Sequence, residues 1–183
     1  MPFYHFYGEF GDEDDDGIES APTGGFEYED GSAQFKADKL DGVPALTLKL
    51  LLSIGVAEMR VCYDGGSDEG FAHADDMWID GNRKFLDDII DALNTPASVD
   101  AIQAAATAPK ASYWHNAPEH YRKDEPRQAI SDALDELAHE VASQLLGSGY
   151  GTGEYELYGA VIVVFETGEM MDDPQAQRPL DRM

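Results

Sequence analysis

Basic residues are what this chain has least of. No Lys or Arg occurs before Lys36, and 12 basic residues stand against 37 acidic ones, a formal net charge of −25. Such a field repels polyanions and attracts basic proteins or divalent cations. Direct nucleic-acid binding and attachment to an anionic membrane are therefore not expected. High net charge also serves solubility alone. A single cysteine excludes an internal disulfide framework and suits a reducing compartment. No apolar run reaches the roughly 18 residues of a membrane span, and the start, MPFYHFYGEF, has no basic stretch ahead of an apolar one. The expected location is the cytoplasm, and no cofactor is expected.

A chain of 183 residues fits one domain. It can bury roughly 70% of the surface that it exposes when unfolded, so no metal or disulfide staple is required. Composition divides it into an acidic arm or loop over 1–42, with a possible short strand among Phe3–Tyr7, a domain over 43–173, and a polar tail over 174–183. The carboxylates from Asp12 to Asp16 must be solvated, because neighbouring like charges cannot be buried together.

Within 43–173 the apolar periodicity reads as α+β. Residues 44–54 are ambiguous: Leu46, Leu48, Leu50, Leu52 and Ile54 alternate as in a strand. Pro44 suits a first helical turn and Gly55 a C′ position, which favours a helix. A strand follows over 56–63, with Ala57, Met59, Val61 and Tyr63 on one face and Glu58, Arg60, Cys62 and Asp64 on the other. Asp64-Gly65-Gly66-Ser67-Asp68 reverses the chain into a second strand over 71–79. Asn82 to Leu93 reads as a helix with Phe85, Leu86, Ile89, Ile90 and Leu93 inward. Thr95-Pro96 caps another to about Thr107, and 109–126 is an irregular, proline-bearing excursion. The last helix spans about 126–146 and is stopped by Gly147, with Ile130, Leu134, Leu137, Val141 and Leu145 in one stripe. Strands over 154–166 and 169–172 complete an antiparallel sheet of about four strands, with three or four helices packed on one face.

Two segments carry a resemblance: Ile54-Gly55 with Tyr63-Asp-Gly-Gly-Ser-Asp-Glu-Gly70, and Gly149-Tyr-Gly-Thr-Gly-Glu-Tyr-Glu-Leu-Tyr-Gly159 running into 161–169. They resemble a family of small uncharacterised proteobacterial proteins, often found on plasmids and integrated elements, that carry a Y-D-G-x-G-D-S-G hairpin. The match covers about 100 residues with gaps. This chain has Gly66-Ser67 where that family tends to show an aromatic or small residue followed by Gly. The resemblance implies an α+β fold with an antiparallel sheet and no particular activity.

Several constellations could carry chemistry. Asp64, Asp68, Glu69, His73, Asp75 and Asp76 offer oxygen ligands and one imidazole near a glycine-bearing turn. Their spacing is not that of an EF-hand loop, and turn chemistry alone accounts for Asp and Gly there. Tyr113, Trp114, His115, Glu119, His120 and Tyr121 could form a zinc or stacking site. The simpler reading is an aromatic anchor that pins the excursion to the body. Cys62, beside Arg60 and across the hairpin from His73, is a weak nucleophile candidate, because Asp64 and Asp68 oppose thiolate formation. The glycines at 147, 149, 151 and 153 follow a helix rather than a strand, unlike a dinucleotide loop. His139 reads as an exposed helix residue.

The sequence therefore points first to a non-enzymatic acidic binding or regulatory protein with a basic protein partner, at its extreme a nucleic-acid mimic. The alternative is a divalent-metal-binding module or metal-assisted hydrolase using Asp64, Asp68, Glu69 and His73. If 56–63 pairs with 154–166, the two glycine loops share one end of the sheet. Tyr63, Asp64, Asp68, Tyr150, Glu154 and Tyr155 then form a single acidic, aromatic binding patch.

Overall fold

The ambiguity at residues 44–54 is resolved by burial spacing. In the structure, a computed structural model that describes residues 33–66, 69–107, 121–122, 124–151 and 157–173, helix α1 runs Gly42–Ser53. It buries Val43, Pro44, Thr47, Leu48 and Leu51, a three-and-four spacing that only a helix can present to one neighbour. Thr47 Oγ1 donates to Val43 O at 2.8 Å, so its buried hydroxyl is satisfied within the helix. Gly55 then takes φ +86°, the left-handed turn that ends the helix and starts the sheet.

Among the described residues the sheet has five antiparallel strands in the order β3-β2-β1-β4-β5: β1 Val56–Gly66, β2 Glu69–Ile79, β3 Asn82–Lys84, β4 Leu157–Val164 and β5 Met170–Asp172. Helices α2 (Leu86–Leu93), α3 (Pro96–Ala106) and α4 (Pro126–Leu146) follow β3. Met59 and Val61 of β1, Met77 of β2 and Val161 and Val163 of β4 are fully buried against Leu134, Leu137 and Val141 of α4 and Leu51 of α1, all in one core. Each such side chain contributes about 1.5–3 kcal/mol through burial. The fold is α+β, with five strands where about four are expected.

Three local expectations need correction. Asn82–Lys84 is strand rather than helix, because Asp80 (φ 50°) and Gly81 (φ +73°) form a two-residue turn that folds it back onto Met77–Ile79. Phe85 consequently sits outside the core, 64% exposed, with the Arg83 guanidinium over its ring. In β1 the alternation is broken by a register shift between Val56 and Glu58, which buries Val56 and exposes Ala57. The folded unit also includes residues expected in the N-terminal arm. Ala33 and Phe35 are buried, Gln34 bridges Glu169, and Phe35 N–H donates to Gly168 O at 2.7 Å. Residues 1–32 of that arm and the tail 174–183 lie outside the described residues.

The remaining helices follow their sequence signals. Thr95 caps α3 by accepting from Ser98 N–H. Helix α4 begins at Pro126 and ends at Gly147 (φ +93°). It lies against β2 and α1, and this placement builds the site.

Candidate functional site

Strand β1 pairs with β4 from Glu58↔Val164 to Gly65↔Leu157, the arrangement that brings the two glycine loops to one end of the sheet. They touch there. A Cβ on Gly65 would stand 3.0 Å from Tyr150 O, and one on Gly70 would stand 2.8 Å from the Tyr150 ring and 3.0 Å from Gly151 Cα. One on Gly151 would overlap the backbone of Glu69 and Gly70. The segment after α4 thus lies flat on the hairpin tip at a backbone separation that only glycine permits.

The expected patch residues fare differently. Tyr150 is half-buried, and its hydroxyl is 2.5 Å from His139 Nδ1 with the two rings edge-on. Burial and the nearby Asp64 carboxylate push its phenol up, so Tyr150 keeps its proton, and which of the two groups donates follows the tautomer of His139. His139 is therefore a packing partner of the loop, not a plainly exposed helix residue. Tyr63 pairs with Gly159 across the sheet and lays its ring where a Gly159 side chain would be, so part of its surface serves packing. Asp64 stays close to Tyr150. Asp68, Glu154 and Tyr155 lie outside the described residues, as do Tyr113 to His120.

Beside this junction is a cleft of about 340 Å³ that composition did not single out. Gly70, Phe71 and Ala72 of β2 form one wall and Asp132, Asp135, Glu136 and His139 of α4 the other, with Tyr121 alongside. The signal in the sequence was the spacing D-x-x-D-E-x-x-H, which places all four polar side chains along one helical flank beside the apolar stripe. Asp135 Oδ1 accepts from the Ala74 N–H at 3.1 Å, joining helix to strand. Asp132 accepts from Gln128 Nε2 at 2.7 Å. Tyr121 is buried and its hydroxyl donates to Glu136, which anchors the end of the proline-bearing excursion. Phe71 at the rim is 55% exposed.

Burial makes the carboxyls of this wall weaker acids. Desolvation pushes Asp135 up against the lowering effect of the Ala74 N–H and His73, and pushes Glu136 up against the Tyr121 hydroxyl. Glu140, one turn on, is raised by burial and by Asp41. The folded chain therefore holds protons on these carboxyls more readily than the unfolded chain does. Unfolding free energy is expected to rise as pH falls from 8 through the raised values, with the gain complete below the ordinary carboxylate range near pH 4. Asp124, lowered by exposed Arg122, acts in the opposite sense but weakly. Urea melts between pH 8 and 5 check this, and stability that falls steadily over that range would contradict it.

On the opposite face of the sheet, Arg60 bonds Asp173 (2.6 Å) and Asp75, and its Nη1 stands 3.3 Å from Cys62 Sγ. The register places His73 across from Cys62 as expected. Cys62 is buried, however, and its thiol also faces the Asp75 carboxylate at 3.7 Å. Asp76 is paired with Arg83. Among the described residues no three His, Cys, Asp or Glu side chains are arranged to hold a metal ion. No described helix is long and apolar enough to cross a membrane. No protein-family model, curated protein or solved structure matches the chain.

Proposed function

We propose that this chain is a non-enzymatic acidic binding protein that takes a basic segment of a protein partner into the cleft between α4 and β2. The observation that carries this reading is the lining: three carboxylates on one wall, strand backbone on the other, and no Lys or Arg among the described lining residues. A volume of 340 Å³ is at the low end of ligand-sized clefts, about 300–1,000 Å³. It suits a Lys or Arg side chain with its neighbours. Exposed Phe71 offers a ring face to such a cation. The surrounding field of −25 speeds encounter with a basic partner.

Titration of a fluorescent Lys/Arg-rich peptide, followed by anisotropy, tests the reading. Replacing Asp132→Asn with Asp135→Asn removes two charges yet keeps the oxygens that accept from Gln128 and Ala74. The pair is expected to weaken binding by on the order of tenfold or more, about 1.4 kcal/mol. Removing two charges outside the cleft, at exposed Asp80 and Asp88, should change it by no more than about twofold. Binding should also fall as salt shortens the screening length from about 10 Å at 0.1 M toward 3 Å at 1 M. Equal weakening by both pairs of substitutions would reduce the interaction to a diffuse field and defeat the assignment.

A further inference from the structure

We infer that the partner segment is bound in extended form, as a strand added to the open edge of β2; this rests on the cleft being the docking site. Strand β1 pairs with β2 along its whole length, but β3 covers only Met77–Ile79 on the other side. Among the described residues, no strand pairs with that outer edge from Glu69 to Asp76.

The direction of the free groups follows from the ladder. Ala74 N–H points away from β1, since it donates to Asp135. Successive strand residues direct their N–H and C=O to alternate sides. The register from Cys62↔His73 to Gly66↔Glu69 runs one-to-one without a shift. Ala72 and Gly70 therefore present N–H and C=O outward as well, and both line the cleft. One has a methyl for a side chain and the other none, so a ligand on this wall meets main chain.

Natural sheets block such edges with Lys, Pro or a bulge. From Glu69 to Ala74 this edge has neither Lys nor Pro, and the register shift lies farther along, beyond Ala74. A segment added here would lie about 4.8 Å from β2, with alternate side chains directed to the α4 side. Those side chains would meet Asp132, Asp135 and Glu136. The occupant is thus an extended segment of a partner protein with Lys or Arg at every second position. Asp135, already bonded to Ala74, sets the end of the added ladder.

N-methylation separates this mode from charge attraction alone, because it removes a peptide N–H and leaves every charge. The probe is a fluorescent peptide of alternating Lys and Thr, in three forms: unmodified, N-methylated at every Lys, and N-methylated at every Thr. Strand addition predicts that one methylated form loses binding by on the order of tenfold or more while the other stays near the parent. Similar effects from both sets overturn strand addition and leave the docking cleft standing. Absence of binding by the parent peptide overturns the cleft itself. As a second arm, Ala72→Pro deletes one outward N–H at a strand edge, where proline is tolerated. It is expected to abolish parent binding with the melting temperature little changed, and unaltered binding would count against the mode. If that variant does not fold, the peptide comparison decides alone.

Discussion

Gly151→Ala is expected to destabilise the fold by about 3 kcal/mol, a fall of roughly 6–12 °C in melting temperature for a domain of this size. The reason is that the added methyl meets main chain. It would overlap Glu69 and Gly70, and a Cβ on Gly70 would likewise stand only 3.0 Å from Gly151 Cα. Backbone cannot swing aside as the end of a long side chain can, so the loop after α4 must lift off the hairpin. Lifting it draws Tyr150 away from His139 and opens the end of the cleft. Amide exchange at the hairpin tip should quicken in the variant even under strongly native conditions. A loss of less than about 1 kcal/mol would mean that the two loops are not seated on each other as described.

The second large effect is expected at Arg60. Its guanidinium bridges Asp75 and Asp173, and its side chain and that of Asp173 are only 15% and 13% exposed. Pairs this sheltered behave unlike surface ion pairs: deleting the guanidinium removes the cation that both carboxylates share in a poorly hydrated place. Arg60→Met keeps much of the aliphatic bulk and should cost about 2–4 kcal/mol. Asp173 also fixes the chain after β5 through its N–H bond to Ala160 O at 2.9 Å, so the same variant should loosen that end. Adding Asp75→Asn and Asp173→Asn to Arg60→Met removes the charges that faced the guanidinium and should restore most of the loss. Coupling measured this way isolates the network from the packing of the stem. If the single and triple variants are equally unstable, the arginine stabilises by packing and the ion pairs contribute nothing.

Much of the fold was legible in the sequence because it is local. Proline and threonine at the start of α3, the stripe from Ile130 to Leu145 in α4, Gly55 and Gly147 at helix ends and the glycines between β1 and β2 each act within a few residues. Where local signals competed, the reading failed in a definable way. The helical spacing from Phe85 to Leu93 extended naturally back to Asn82, yet the turn at Asp80-Gly81 claimed Asn82–Lys84 for the sheet. Ladder bonds to β2 outweighed three more residues of helix. Likewise His139 carries no local mark of its partner, because Tyr150 reaches it only after the chain turns at Gly147.

The sequence by itself determined the class of fold, the helix boundaries within a few residues, the hairpin, and the surplus of carboxylates. Only the tertiary structure decided which carboxylates act together. Asp132, Asp135 and Glu136 are unremarkable polar residues flanking an apolar stripe until α4 is laid along β2. Ala74 and Asp135, 61 residues apart, then meet. Periodicity records which side of each element is apolar, and therefore which side turns inward. It does not record which neighbour closes over the flank, since that depends on the packing angle and register of elements far apart in the chain. Strand β3, which begins at the Asp80-Gly81 turn and ends at Lys84, pairs only with Met77–Ile79, and β2 is left without a further strand partner from Glu69 to Asp76 among the described residues.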